Sequence, residues 1–495
     1  MARNDFIVVV LAAGKGTRLK SSLAKVLHRT GGRTLVEHVV RAARGLRPRA
    51  VICVVGHQAD AVREIVAPLG AECVLQQPQN GTGHALLVCR KRIGRRAKTV
   101  LVVPGDAPLI RIETLAALMR THFAGQAAAT VLSAELENPA GYGRIVRKSN
   151  GTVAAIVEEK AASDEQRAIR EINSSIYAFQ LEKLWPALAE VRPENVHREI
   201  YLTDAIAQLN ARGERVMAQL AADPQEVLGC NTRAELAEVD RVFRARKCAE
   251  LMDCGVSIIL PETVIIDPEV SIGADTVIEP NVQILGATRI GGGCTIRTGS
   301  VLRDARLDDN VEVRAHSVVT ASRLGSGVFV GPFAHIRDGA HLRPGARVGN
   351  YVEVKKSVLA EGVKSMHLTY IGDARIGRGT NVGAGTITCN YDGVKKNPTF
   401  IGENVFIGSN TALVAPVRVG HRAYVAAGST VTENVPADSL AIGRARQVTK
   451  KGWVAERRAE ARNASRHRER GRRKLKRARK PRGRKRVRVR GRKRR

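Results

Sequence analysis

The sequence predicts an α/β domain built on a mostly parallel sheet, followed by a solenoid of three-sided coils and a basic tail. Three observations carry this. From Thr263 to Val435 aliphatic residues recur every six positions, as in Ile266, Ile272, Ile278, Ile284, Ile290 and Ile296. Further runs are Leu324, Val330, Ile336, Leu342, Val348, Val354 and Ile401, Ile407, Leu413, Val419, Val425, Val431. A period of six fits neither a helix nor an alternating strand, and sandwich strands recur at about 8–12 residues. It fits short strands joined by tight turns, each with one inward aliphatic residue, stacked into a continuous column. Second, before residue 232 strand-like runs alternate with helical segments, and each run ends at a Gly-rich loop. Third, roughly +24 of the formal charge of +34 falls in Arg444–Arg495.

In order, Phe6-Ile7-Val8-Val9-Val10-Leu11 reads as a buried parallel strand and runs into Ala12-Ala13-Gly14-Lys15-Gly16-Thr17-Arg18. A strand feeding such a loop and then a helix presents backbone N–H groups to phosphate. The spacing is neither that of a Walker loop nor G-x-G-x-x-G. Lys25, seven residues after Arg18, adds a second cation suited to a triphosphate. Val51–Val55 ends at Gly56-His57, Cys73–Gln76 leads to Gly81-Thr82-Gly83-His84-Ala85, and Val100–Val103 ends at Pro104-Gly105-Asp106. In a Rossmann-like sheet, ligands sit at such strand ends. There Asp106 is a candidate Mg²⁺ ligand. Thr232-x-x-Glu235 opens a helix expected to reach about Asp253 and to join the two halves. Two breaks in the hexads are expected to project as loops: one between Val354 and Ile371, the other from Thr388 to Phe400.

Hydrophobic residues make up 44% and aromatics only 3%, so the cores are expected to be aliphatic. The eight cysteines follow no C-x-x-C or framework pattern, which points to reduced thiols and a cytoplasmic protein. No apolar run of about 18 residues is present, so no membrane span is expected. The tail, nearly all Arg, Lys and Gly from Arg470 on, is expected to be disordered and to bind polyanions nonspecifically by counterion release.

The hexads resemble the left-handed parallel β-helix of hexapeptide-repeat acyltransferases, and L-A-A-G-K-G-T-R…K resembles the signature of sugar-1-phosphate nucleotidyltransferases. The order of LAAGKGTR, GTGHA, GDAPLI, GYGRI, IVEEK, EIN, GPFA, HLTYIGDA, VGAGTITCNYDG and FIGSN makes residues 1–450 similar to one bacterial family. Its members are bifunctional N-acetylglucosamine-1-phosphate uridyltransferases and glucosamine-1-phosphate N-acetyltransferases, which supply UDP-N-acetylglucosamine for cell-wall polysaccharide. The resemblance implies a uridyltransferase domain at 1–231, a linker helix at 232–255 and a left-handed β-helix acetyltransferase domain at 256–450, while the basic tail at 451–495, which lies outside the resemblance, is expected from its composition to be disordered. It also implies a homotrimer, with Mg²⁺ as cofactor and acetyl-CoA and UTP as co-substrates.

By the same resemblance, His367 is the proton acceptor of acetyl transfer. An imidazole, with an ordinary pKa of about 6.5, suits that task. Glu353 is the expected orienter of the ring. Arg337, Lys355, Tyr370 and Asn381 match the sugar-phosphate site of glucosamine-1-phosphate, while Ala384, Asn390, Tyr391, Ser409, Ala427 and Arg444 match the acetyl-CoA site. In the other half Arg18 and Lys25 are the catalytic cations. Leu11, Ala12, Ala13, Gly14, Lys25, Gln76, Gly81, Thr82, Gly141, Glu158, Asn173 and Asn231 match the site for UTP and the nucleotide sugar formed with N-acetylglucosamine-1-phosphate. Asp106 and Asn231 match the metal ligands. Three positions depart from the pattern: Pro104 stands for a hydroxyl residue, Ser175 for Gly, and Asp338 for Pro. Two other readings compete. A monofunctional pyrophosphorylase with a scaffold β-helix has no use for His367, Lys355 and Asn390-Tyr391, and a nucleic-acid-binding protein on a dead enzyme has no use for Lys25, Asp106 and Asn231.

Overall fold

The computed structural model describes residues 5–191 and 199–478. They fall into two compact units, Met1–Ile442 and Gly443–Arg495.

The first unit begins with a sheet in the order Val216–Leu220, Ala129–Glu135, Glu171–Gln180, Thr99–Pro104, Phe6–Ala12, Ala50–Val55, Ala71–Leu75. The four strands from Thr99–Pro104 outward pair in parallel, whereas Glu171–Gln180 runs antiparallel to both neighbours. Phe6, Val8 and Val10 bury one face of the first strand, Ile7 and Val9 the other. This is why the run lacks a polar alternation: both faces are covered by helices. The parallel strands therefore end on one side, and their loops gather there.

Arg233–Asp253 is a 21-residue helix whose N-cap, Thr232, accepts from the Glu235 N–H at 3.1 Å. The Glu235 carboxylate reaches back to accept from the Asn231 N–H at 2.6 Å, so the start of this helix fixes Asn231. Asp240 accepts from the Gly31 N–H at 2.8 Å, and Arg33 pairs with Glu269, tying sheet domain, helix and first coil together.

From Ser257 to Ala441 the chain forms three walls of short parallel strands, 11, 10 and 9 deep. The inward residues stack in register, as in Ile266, Ile284, Leu302, Val319, Ile336, Val354 and Ile371 down one wall. All are nearly or fully buried in one core, where truncating a buried Ile or Leu to Ala costs about 2–5 kcal/mol. Many corner positions with φ near +60° are held by Asn, Asp or Gly, among them Asp275, Asn281, Asn310 and Gly379, while His316, Phe333, Tyr351 and Arg422 take the same conformation. Some inward steps span five residues, from Leu302 to Leu307 and from Val319 to Leu324, and this breaks the hexad without interrupting the coil.

That device corrects one expectation. No loop projects between Val354 and Ile371, because Val358–Leu359 and Lys364–His367 complete the coil. The break in the pattern is a five-residue step to Leu359, followed by a polar inward residue, Ser365, fully buried with no partner for its Oγ. The second break does project. Between Ile387–Cys389 and Thr399–Ile401 the chain makes a hairpin closed by a Tyr391–Lys396 bridge.

The second unit also corrects an expectation. Within the tail expected to be disordered, Trp453–Ala478 is a helix. Ala, Arg, Glu and Lys are strong helix formers even without an apolar face. Arg457–Glu460 at 3.3 Å and Glu469–Arg473 at 3.8 Å add pairs one turn apart. The expectation for 479–495 lies outside the described residues.

Candidate active sites

The first candidate site is a cleft of about 510 Å³ at the carboxyl ends of the parallel strands. Leu11, Ala13, Gly14, Lys25, Gln76, Gly81, Thr82 and Asp106 all line it. Ala12 is buried beneath it. Gly16 takes φ +67°, and a Cβ there would meet the Lys25 Cβ at 2.4 Å, so only glycine lets the loop close over Lys25. The Lys25 ammonium forms an ion pair with Asp106 and donates to Asn231 Oδ1 at 2.6 Å. Arg18 donates to the same oxygen at 3.1 Å. Arg18 and Lys25 thus converge on the Asn231 amide oxygen, and Lys25 also meets the Asp106 carboxylate.

Gly141, Glu158 and Asn173 do not line the cleft. Glu158 stands behind its Tyr201 side, where burial first and then Asp204 push its carboxyl above the usual range, against a Thr203 hydrogen bond. Asn173 donates to the Tyr177 hydroxyl at 2.8 Å and accepts from the Ser175 N–H at 3.1 Å. Ser175 adopts φ +64° where this strand's register with its neighbour shifts, a conformation that glycine takes without strain. Gly141, at φ +85°, has open space around it. Sequence reasoning missed Gln79 and Tyr201, which line the cleft. Gln79 sits two residues before Gly81 and could have been included, whereas Tyr201 arrives only because the GTGH turn packs on Ile200.

The second candidate site lies on the β-helix. Counting two residues past the inward position, Asn350, His367, Ala384, Ser409 and Ala427 occupy one corner in five successive coils. Backbone bonds run up this corner: Leu368 N–H to Asn350 O at 3.0 Å, Asn410 N–H to Ala384 O at 2.7 Å and Gly428 N–H to Ser409 O at 2.7 Å. His367 is exposed and its Nδ1 lies 2.8 Å from Asn350 Oδ1. An amide oxygen accepts, so Nδ1 carries the hydrogen and the Nε2 lone pair faces outward. Asn350 orients the ring. Glu353, the expected orienter, is instead 2.7 Å from Arg337. Above the histidine the small side chains Ala384, Ser409 and Ala427 leave a shallow track about three coils long.

On the adjoining wall Arg337, Lys355 and Tyr370 come together. Lys396, at the base of the projecting hairpin, is the main reason the Lys355 ammonium is held below its usual range, followed by desolvation, Arg337 and Lys356. A cluster of like charges is the signature of an anion site. Lys396 is the residue sequence reasoning missed here. Asn390 is buried and its amide donates to Asp373 at 2.6 Å, whereas Tyr391 is exposed and donates to Gly393 O at 2.6 Å. Asn381 stands opposite Lys364 on the wall that carries His367. Arg444 belongs to the second unit. Of the departures, Pro104 and Ser175 line the cleft, and Asp338 accepts from Thr320 Oγ1 at 3.0 Å.

Two family models match the chain: a MobA-like NTP transferase domain over residues 8–176, and bacterial transferase hexapeptide repeats over 269–304 and 398–433. Whole relatives match as well. The bifunctional protein GlmU of Koribacter versatilis is 48% identical over 459 residues, covering 92% of this chain and 98% of the relative. That of an Anaeromyxobacter species is 50% identical over 461 residues, covering 92% and 93%, and that of Streptococcus agalactiae is 45% identical, covering 90% and 97%. The chain belongs to the bifunctional GlmU family. Like that family it pairs a nucleotidyltransferase domain with a hexapeptide acetyltransferase domain, and it carries both uridyltransferase and acetyltransferase activity. The competing readings, a scaffold β-helix and a dead enzyme, fall with that assignment. Among the described residues all eight cysteines are free, and no helix is long and apolar enough to cross a membrane.

Proposed function

We propose that the chain, acting in the cytoplasm, acetylates glucosamine-1-phosphate with acetyl-CoA and then joins the product to UMP from UTP, giving UDP-N-acetylglucosamine and pyrophosphate. The observation that carries this reading is the presence, on one chain, of two chemically distinct sites that share no residue.

In the first step Arg337, Lys355 and Lys396 hold the sugar phosphate, and acetyl-CoA lies along Ala384, Ser409 and Ala427, with Asn390 and Tyr391 completing its site. The sugar amine attacks the thioester carbonyl, the C–S bond breaks, and the CoA thiolate leaves. The ammonium proton passes to His367 Nε2, a transfer that Asn350 favours by fixing the tautomer. Tyr370 and Asn381 bind the sugar. In the second step a phosphate oxygen of N-acetylglucosamine-1-phosphate attacks the α-phosphorus of UTP, and the bond to pyrophosphate breaks. Arg18, Lys25 and the Gly14–Arg18 loop position and neutralise the phosphates. Gln76, Gly81 and Thr82 hold the uracil, and Gly141, Glu158 and Asn173 the sugar side.

Asp106 and Asn231 suit Mg²⁺: a carboxylate and an amide oxygen already meet at one cation, the Lys25 ammonium. Among the described residues no group of three or more His, Cys, Asp or Glu forms a self-sufficient metal cage, which fits an ion that draws its other ligands from phosphate and water. Bound there, the ion would neutralise charge on the transferring phosphate. Incubating the protein with glucosamine-1-phosphate, acetyl-CoA, UTP and Mg²⁺ should yield UDP-N-acetylglucosamine, pyrophosphate and free CoA thiol. Acetyl transfer without a nucleotide sugar would refute the second step.

We propose a homotrimer through the β-helix, a reading that its exposed apolar side chains support. Phe406, Tyr424 and Leu440 are 42%, 55% and 64% exposed on one wall, and Ile387 is 48% exposed on the next, beside the catalytic corner. Light scattering should give the mass of three chains, and a fully active monomer would contradict the assembly. The tail is proposed to bind polyanions and to be dispensable for catalysis. Truncation after Gly452 keeps Arg444, so both activities should survive while heparin affinity falls sharply.

A further inference from the structure

The third wall of the β-helix carries neither catalytic residues nor the exposed apolar side chains of the other two. Its outward positions, coil by coil, are Arg289, Arg306, Arg323, His341, Val358, Arg375, Phe400 and Arg418, each paired in register with the next. At about 4.8 Å per coil the row is about 34 Å long. Like charges directly opposite on neighbouring strands are destabilising. Yet Arg289, Arg306 and Arg323 stand exposed in three consecutive coils, and no side-chain hydrogen bond or ion pair joins any of them among the described residues. Arg297, Arg314 and Arg337, on the other walls, are each paired with a glutamate. Farther along, the Arg418 guanidinium lies 4.2 Å from the centre of the Phe400 ring, beside a groove of about 600 Å³ that also takes in Arg375. Two positions further along, five of these eight levels carry a glycine, Gly291, Gly325, Gly377, Gly402 and Gly420, which keeps the adjoining ledge low there, while Asp308, Arg343 and Ala360 hold the other three.

We propose that this wall docks a single-stranded nucleic acid, its phosphates tracking the arginine row and a base stacking on the Arg418–Phe400 pair. A single file of cations beside a low ledge matches one linear polyanion. A membrane surface is a two-dimensional field of headgroups and would be met by apolar side chains, which a ledge of glycines does not supply. Aromatic and guanidinium planes accept any base, so binding is sequence-tolerant. Asp308, two positions after Arg306, acts on His341, and Asp309 accepts from the Gly292 N–H at 2.8 Å near the start of the row, but among the described residues neither forms an ion pair with Arg289, Arg306 or Arg323.

The test measures binding of a fluorescent 20-nucleotide polyuridylate to the full-length protein as salt is raised. Each phosphate contact on a single strand contributes about 0.7 to the slope of log affinity against log salt. Replacing Arg289, Arg306 and Arg323 together by Gln should lower that slope by about 2, whereas the three Arg→Lys changes should preserve it. Both enzymatic activities should stay unchanged in either variant, which separates lost contacts from misfolding. A 4-thiouridine oligomer should cross-link to the peptide holding Phe400. An unchanged slope in the Gln variant, cross-links confined to Gly443–Arg495, or a Gln variant that loses phosphatidylserine vesicles but keeps the oligonucleotide would each overturn the proposal.

Discussion

His367→Ala should lower acetyl transfer by about 10²–10⁴-fold, the range of a general base, and leave uridyl transfer at its starting rate. The ring is exposed at a corner, so its removal opens no cavity in the aliphatic column. Release of CoA thiol and of pyrophosphate, followed separately, read the two reactions. Asn350→Ala tests how the ring is held. Without its 2.8 Å partner the imidazole loses a fixed tautomer, so kcat should fall while KM for the sugar phosphate, which the proposed site assigns to Arg337, Lys355 and Lys396, should stay put. Glu353→Gln should act the other way: Glu353 pairs with Arg337, so its loss should move KM before kcat. A kcat effect confined to Glu353→Gln would restore the glutamate as orienter.

The pair Asn350 and Glu353 also shows where the sequence stops being informative. Asn350 precedes His367 by 17 residues and Glu353 by 14, and chain distance alone cannot tell which of them faces the ring. That is set by register: Asn350 pairs with His367 across the strands, while Glu353 pairs with Tyr370 around the corner. The aliphatic column was legible because a three-sided coil admits one inward residue per strand, and that constraint repeats. The Val354–Ile371 stretch was misread as a loop because a five-residue step and an inward Ser365 erase the same periodicity without breaking the coil. In the cleft, Lys25, Gln76 and Asp106 were legible at strand ends and glycine turns. Tyr201 was not, since only tertiary packing of Ile200 on Gly81 and Gly83 brings it there. The tail's composition ruled out a core, but a helix does not need one when its residues favour the helical backbone.

Asp106→Ala should abolish uridyl transfer to within background, a loss of at least about 10²-fold, and leave acetyl transfer intact. The carboxylate joins Lys25 and Asn231 at one point, where charge on the transferring phosphate must be neutralised. Removing it frees Lys25 from its partner and leaves a lone amide oxygen for a divalent ion. The apparent Mg²⁺ requirement should therefore rise as well as the rate fall, and pyrophosphate release titrated against Mg²⁺ reads both. Lys25→Ala gives a contrast. It removes a phosphate contact but keeps both oxygens, so it should weaken UTP binding while the Mg²⁺ requirement changes less. Independence of the two sites is expected because the cleft and the catalytic corner share no residue and lie in separate cores, one on the sheet and one in the coils. If Asp106→Ala, still folded, lost acetyl transfer too, that independence would fail, and coupling would have to pass through the Arg233–Asp253 helix, which follows Asn231 and packs on the first coil at its end, or through the Arg33–Glu269 pair.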